Sequence, residues 1–297
     1  MLRKPQPVLV VELFPEILEE LLSLLAGLTP DEWDRPTSCP GWSVKDVALH
    51  LLGIEIGNLS RRRDGHTARD VPAQNWTELV AVLKDWNESW VESARRMSTP
   101  LLIDLLRLTG RQWCAYVRTL DEFALGGAVS WAGPQPAPAW LDLAREYSER
   151  WHHQQHMRDA VGRPGLKQSR YMAPALAAFA WALPRAFEAA PVEEGSTVTL
   201  TIHGDSGGRW TIVYEGRTWQ LFSGAPEQPT AEAELNEDIA WRLFTRGLDP
   251  LQAQAQMKLT GDLNLAGQVA KNGLDHRLRH LVWEDFSPRR TLRAEAR

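Results

Sequence analysis

The stretch Glu149-Arg-Trp-His152-His153-Gln-Gln-His156 sets a carboxylate and three imidazoles within a short run of chain. If the run is helical, residues four apart share a face, so Glu149 and His153 point the same way, one turn apart. His156 follows His153 by three positions and belongs to the same stripe. A second pair at this spacing, His152 with His156, lies beside the first and overlaps it. A carboxylate and several imidazoles along one helix face are donors that a divalent transition metal takes. One helix turn seldom completes such a site, and His50 is the candidate for a ligand from elsewhere. Taken alone, a histidine in that position reads first as a hydrogen-bonded core residue.

The elements that must position these side chains can be read from the hydrophobic spacing. A helical pattern runs from about Pro138 to Val161 and carries the Glu149–His156 stretch. The His50 helix begins at Ser43-Val-Lys-Asp46, which has the form of a capping box with aspartate in the place usually held by glutamate. Val44, Val47, Ala48, Leu51 and Ile54 form its inward face, and His50 borders that face. Upstream, Leu13 to Leu28 repeats apolar residues at helical spacing. Thr29-Pro30-Asp31-Glu32 reads as a cap, and Thr37 to Trp42 as a turn. Further helices are expected over Trp76–Met97, with Leu79, Val82, Leu83, Trp86 and Trp90 inward, and over Thr99–Thr119. Arg61-Arg62-Arg63 reads as a solvated helix end, and Cys114 as a small buried hydrophobe. Gly126 to Pro138 is a Gly/Pro-rich loop leading into the Glu149 helix, suited to the rim of a pocket. This half reads as a bundle of four or five helices, an architecture that builds metal sites from inward residues of facing helices.

The pattern changes after Gly162-Arg-Pro-Gly165. One helix is expected from Met172 to Glu188, followed by alternating β-branched and aromatic runs at Thr197–His203, Trp210–Tyr214 and Thr218–Phe222 with hairpin signals between them. Ala231–Leu235 reads as a fourth strand, Glu237–Arg246 as a helix, Lys258–Asp262 as a last strand, and Leu263–Val269 as a helix. The expected fold class is therefore an α-helical bundle over residues 1–166, then a small α+β unit with a mostly antiparallel sheet over 167–297. The charged tail from about residue 287 is expected to fray.

Composition removes several classes of function. The chain has 297 residues, 43% of them hydrophobic and 24% charged, with a net charge of -5. That is a globular composition without the basic balance of a nucleic-acid-binding surface. No run of uncharged apolar residues is long enough to span a membrane, and no signal-peptide pattern opens the chain. With two cysteines, Cys39 and Cys114, a reducing cytoplasm is the expected location. Fourteen tryptophans point to large apolar packing layers.

Three segments together resemble a known family. Leu28-Thr-Pro-Asp-Glu-Trp33, Cys39-Pro-Gly-Trp-Ser-Val-Lys-Asp46-Val-Ala-Leu-His50 and Glu149-Arg-Trp-His-His153-Gln-Gln are similar to motifs of the mycothiol-dependent maleylpyruvate isomerase family. That family belongs to the wider DinB-like group of four-helix metalloproteins, which includes bacillithiol transferases. The second half resembles the sterol-carrier-like domain that accompanies the bundle, through its hairpins and Leu259-Thr-Gly-Asp262. The resemblance covers most of the chain. It implies a metal triad of His50, Glu149 and His153, and it resolves the overlapping pairs in favour of His153 over His152. It departs at His156, where relatives often carry aspartate; His156 reads as a further ligand, a residue orienting one, or an acid/base group.

A three-ligand site keeps open positions, as a catalytic ion needs. Zinc is the leading choice, and nickel or iron is compatible with the donors. The resemblance implies a low-molecular-weight thiol such as mycothiol or bacillithiol, activated by the ion for attack on a small electrophile, in an isomerase or a transferase. Arg242 or Arg246 is placed to hold a substrate carboxylate, with Arg246 taken as the catalytic candidate alongside His156. Trp42 and Trp151 read as packing around the site. Two other readings stand beside this one: a hydrolase using metal-bound water, and a non-catalytic binder of an apolar ligand. A homodimer is compatible with the sequence, though no feature demands one.

Overall fold

The computed structural model describes residues 1–66, 76–129, 131–133, 135–245 and 247–272. Helix α1 (Phe14–Ala26) opens a bundle after a 3-10 turn at Val11–Leu13. The short α2 (Pro30–Trp33) and the long α3 (Val44–Asn58) both start on complete capping boxes, Thr29 with Glu32 and Ser43 with Asp46. The aspartate substitution at Asp46 thus still closes the reciprocal pair: the Ser43 backbone N–H donates to Asp46 Oδ2 at 3.0 Å and the Asp46 N–H to Ser43 Oγ at 3.3 Å. A π-helical turn, Leu59–Arg63, continues α3, and α4 (Trp76–Ala94), α5 (Thr99–Val117) and α6 (Ala139–Val161) complete the bundle. Gly53 lets α4 lie close against α3, because a Cβ there would sit 2.7 Å from Trp90 Nε1, the atom that donates to the Leu49 carbonyl.

Helix α6 ends on Gly162 in the left-handed conformation (φ 68°), a C-cap that glycine adopts without steric cost. Almost all of α6 is buried, polar residues included. It lies between the bundle and α7 (Ser169–Ala180), which packs along it. A five-stranded sheet follows, formed by β3 (Thr197–His203), β4 (Gly208–Glu215), β5 (Thr218–Ser223), β6 (Ala231–Asn236) and β7 (Lys258–Gly261); β1 (Leu125–Ala128) and β2 (Pro136–Pro138) make a separate ribbon before α6. The order is β5-β4-β3-β6-β7, antiparallel throughout except for the parallel β3–β6 pair. Helices α8 (Leu183–Ala186), α9 (Glu237–Phe244) and α11 (Leu263–Asn272) pack on the sheet, with α10 (Pro250–Gln254) between the last two. The start of the chain joins this second half: Arg3 and Ser223 exchange backbone hydrogen bonds of 3.0 and 2.9 Å.

The expected class, a helical bundle and a mostly antiparallel α+β unit, is the observed one. Four local readings change. The single helix over Met172–Glu188 is two, broken at Trp181–Ala182 just ahead of Pro184, whose missing N–H suits a first helical turn. The loop over Gly126–Pro138 contains the β1–β2 ribbon. Trp86, expected inward, is 38% exposed, and Leu79 is a residue whose side chain is not described. Arg62, expected in solvent, is drawn inward to Asp142 and Glu146. Arg246 and the tail from about residue 287 lie outside the described residues.

Candidate metal centre

His50 from α3 and Glu149 and His153 from α6 meet where the two helices pack. All three are buried, at 2%, 2% and 7% exposure. They offer ligand atoms that all lie within 4.8 Å of one another. The Glu149 Oε2 to His153 Nε2 distance is 3.5 Å. Two donors about 2.1 Å from a common tetrahedral ion stand about 3.4 Å apart, so this spacing fits a shared cation. The rings of His50 and His153 are 4.8 Å apart, edge to face, and the Trp42 ring lies 4.9 Å from His50.

The electrostatics of the cluster fit a cation as well. Burial pushes the Glu149 carboxyl upward, against the pull of the nearby Arg145 and Arg150 charges. Its Oε2 accepts no hydrogen bond among the described residues. A buried carboxylate oxygen without a donor is costly, and a bound cation removes that cost. Burial drives His153 down to about 3 and His152, with help from His153, to about 4. Both rings are therefore neutral at pH 7, the form that binds metal.

The flanking histidines take other partners. His152 Nδ1 donates to the Ser148 carbonyl at 2.7 Å, and its ring turns toward Phe179. The overlap in the i,i+4 pairs is thereby separated, with His153 beside Glu149 and His152 bonded back along its own helix. His156 lies 5.4 Å from His153, ring to ring, and contacts two residues that spacing in the sequence did not single out as site residues. Its Nε2 is 3.2 Å from Thr245 Oγ1 and its Nδ1 is 3.2 Å from Cys39 Sγ. The Thr245 hydroxyl donates to the Trp241 carbonyl at 2.9 Å, so it accepts from His156, and Nε2 carries the ring proton. The Nδ1 lone pair then faces the Cys39 thiol. Cys39 Sγ also lies 4.0 Å from His153 Nδ1, and Cys39, His153 and His156 form a second group of potential metal ligands. Burial pushes the Cys39 thiol up to about 12. No spacing rule links Cys39 to a helix more than a hundred residues later; its only signal was its place in the turn before the His50 helix.

Arg242 is held by acidic partners. Its guanidinium pairs with Asp159 and with Asp238 (3.0 Å) and stacks 4.4 Å from the Trp241 ring centroid. Trp151, fully buried, packs edge-on against Trp241 at 5.8 Å, and so is packing as expected.

Residues 14–158 match the family model of the mycothiol maleylpyruvate isomerase N-terminal domain. A protein of Geobacillus thermodenitrificans (strain NG80-2), provisionally named a metal-dependent hydrolase, is 26% identical over 144 residues, covering 48% of this chain and 74% of its own. A crystal structure of the mycothiol-dependent maleylpyruvate isomerase superposes with a TM-score of 0.51 at 12% identity, covering 84% of this chain and 91% of that one. A mutant of that enzyme superposes with a TM-score of 0.50 over the same shares. At this identity the two structures establish the shared fold. Among the described residues no helix is long and apolar enough to cross a membrane.

Proposed function

We propose that this protein is a metal-dependent enzyme that uses a low-molecular-weight thiol, of the mycothiol or bacillithiol kind, to attack a small electrophile as an isomerase or transferase. His50, Glu149 and His153 would hold a divalent ion, zinc by preference and nickel or iron by compatibility. The observation that carries this reading is the convergence of three buried donors around Glu149 Oε2, which has no donor of its own among the described residues. When bound, such an ion lowers the pKa of a thiol or water at its open position and so supplies a nucleophile at neutral pH. The His50 and His153 rings would orient the ion, and the Glu149 carboxylate would balance its charge. Trp42 packs against the His50 ring. His156 is assigned the proton-handling role: its Nδ1 lone pair accepts a proton, while Nε2–H stays anchored on Thr245. Arg246 remains the candidate for holding a substrate carboxylate, since Arg242 is committed to Asp159 and Asp238. Residues 1–166 would then be the metal-holding unit, and residues 167–297 an accessory unit that supplies Thr245 at its border.

A hydrolytic reading is favoured by one observation, the name of the Geobacillus relative, and replaces the thiol by water. Two measurements separate the readings. Elemental analysis should find a near-stoichiometric divalent metal in the wild type, lost in Glu149→Ala and His153→Ala. Turnover of small electrophiles should then require added thiol. Metal-free wild type after reconstitution refutes both readings, and thiol-independent turnover with water favours hydrolysis.

A further inference from the structure

The two ligand groups share His153, but they meet opposite edges of its ring. Nε2 faces Glu149 at 3.5 Å, and Nδ1 faces Cys39 at 4.0 Å. We propose that Cys39, His153 and His156 form a second metal site, selective for thiophilic ions such as Cu(I) or Cd(II), that competes with the first site for His153.

The spacing fits such an ion. With zinc-like bonds of about 2.3 Å to sulfur and about 2.0 Å to nitrogen, a tetrahedral ion separates sulfur from nitrogen by about 3.5 Å, and the longer bonds of cadmium widen this by a few tenths. The Cys39 distances of 3.2 Å to His156 Nδ1 and 4.0 Å to His153 Nδ1 bracket that value. The hydrogen bonds prepare the ligands too. Thr245 spends its own proton on the Trp241 carbonyl and accepts from His156 Nε2–H, which leaves the His156 lone pair on Nδ1, facing the sulfur. An outer partner that fixes the tautomer in this way is a usual feature of a metal-binding histidine. A thiolate with two imidazoles suits softer ions than the carboxylate and two imidazoles of the first group.

Competition follows from the proton count of one ring. A neutral imidazole has a single lone pair, so as a neutral ring His153 binds through Nε2 or through Nδ1 but not through both. An ion on Nε2 requires the ring proton on Nδ1, toward Cys39. An ion on Nδ1 requires it on Nε2, where it donates to Glu149 and blocks the first group. Binding at the second site replaces the Cys39 thiol proton with the metal and releases that proton to solvent. A thiophilic ion would thus switch the first centre off without touching His50 or Glu149. The site itself does not depend on the function proposed above; only the competition does.

Cadmium is the probe. The full chain, metal-free and reduced, in a Cys114→Ser background, leaves Cys39 as the only thiol. Titration with Cd(II) should produce the ultraviolet thiolate-to-cadmium charge-transfer band, saturating at one ion per chain. The band should vanish in Cys39→Ser, persist in His50→Ala, and need about tenfold more cadmium in Thr245→Val, which removes only the outer partner. Circular dichroism confirms that each variant is folded. A band that survives Cys39→Ser, or saturates at the same cadmium concentration in folded Thr245→Val and His156→Gln, overturns the site. For the competition, zinc-loaded protein should release one zinc for each cadmium bound, read with a chromogenic chelator; zinc and cadmium retained together overturn it. A chain that refuses zinc yet gives the cadmium band supports this site while refuting the metal centre of the proposed function.

Discussion

Helix α6 carries two buried polar stretches in succession, and they treat charge in opposite ways. In the first, Asp142, Arg145, Glu146 and Arg150 meet Arg62, Glu55 and Asn58 from the α3 side. Glu146 Oε2 accepts from Asn58 (2.7 Å) and Arg150 (2.6 Å), and Oε1 pairs with Arg145 and Arg62; Arg150 Nε donates to Glu55 at 2.9 Å. In the second, the Glu149 carboxylate lies beside the neutral His153 ring, with His156 next to His153, and among the described residues no guanidinium is hydrogen-bonded to it. The carboxyl groups respond in opposite directions. Burial would raise Glu146, but Arg145, Arg150 and Arg62 outweigh it and hold Glu146 far below its ordinary range. At Glu149 burial wins and the pKa rises. The first stretch is an ion network that ties α6 to the bundle, although Glu55 Oε2 and Arg150 Nη2 have no hydrogen-bond partner among the described residues and burial raises Glu55 as well. The second leaves one carboxylate oxygen, Glu149 Oε2, without a hydrogen-bond donor among the described residues, where the proposed cation would sit.

The largest expected effect tests the second stretch. Glu149→Gln should reduce zinc affinity by orders of magnitude, read by competition with a chelating dye, because it removes the one anionic donor. The same variant should raise the Tm of the metal-free protein, since the buried charge it deletes is unfavourable there. A metal-free Tm that falls would show that Glu149 belongs with the ion network.

Glu146→Gln should do the reverse. Removing one partner of a buried ion network strands the others and costs about 3–5 kcal/mol, measured by urea unfolding. Metal binding in the folded fraction should persist. If stability holds and metal is lost, the division of α6 into two stretches is wrong.

Packing beneath the centre is next in size. Gly53→Ala puts a Cβ against Trp90 and should cost about 1–3 kcal/mol, with the centre weakened only through displacement of α3. A neutral result would mean α4 can move away freely.

Acid unfolding sharpens the comparison further. Asp142 and Glu146 have depressed pKa values in the fold, so each contributes stability that is fully present above the unfolded carboxyl range, near pH 4. That contribution is lost as the pH falls toward the depressed values. Asp238 in α9 is the milder case. Burial opposes its ionisation, but hydrogen bonds from Lys167, Trp241 and Arg242 hold it at about 2. Its contribution should therefore fade between about pH 4 and pH 2. Because its side chain is 42% exposed, solvent screening keeps the effect small. Chemical denaturation across pH should show the loss in Glu146→Gln much flattened and in Asp238→Asn nearly unchanged from wild type.

Much of this was legible in the sequence, because it depends on short-range geometry. Glu149 and His153 share a face by helix periodicity alone, and the capping boxes at Thr29 and Ser43 are local hydrogen-bond patterns that need no distant partner. The change from helical to alternating spacing after Gly165 marked the passage from bundle to sheet. His50 was a candidate by side-chain type and by resemblance; its approach to α6 depends on how α3 packs. Arg62 was misread because three adjacent arginines resemble a solvated end, while the π-helical turn redirects one of them toward Asp142 and Glu146. Cys39 and Thr245 were invisible as site residues. They come from a turn before α3 and from the end of α9, and only the packing of both against α6 brings them to His156. The sequence by itself determined which donors share a helix face, since that follows from a repeat of 3.6 residues. Which of those groups are paired with guanidinium groups and which are buried beside neutral rings was decided by tertiary structure, because buried charges take their state from partners brought in by folding.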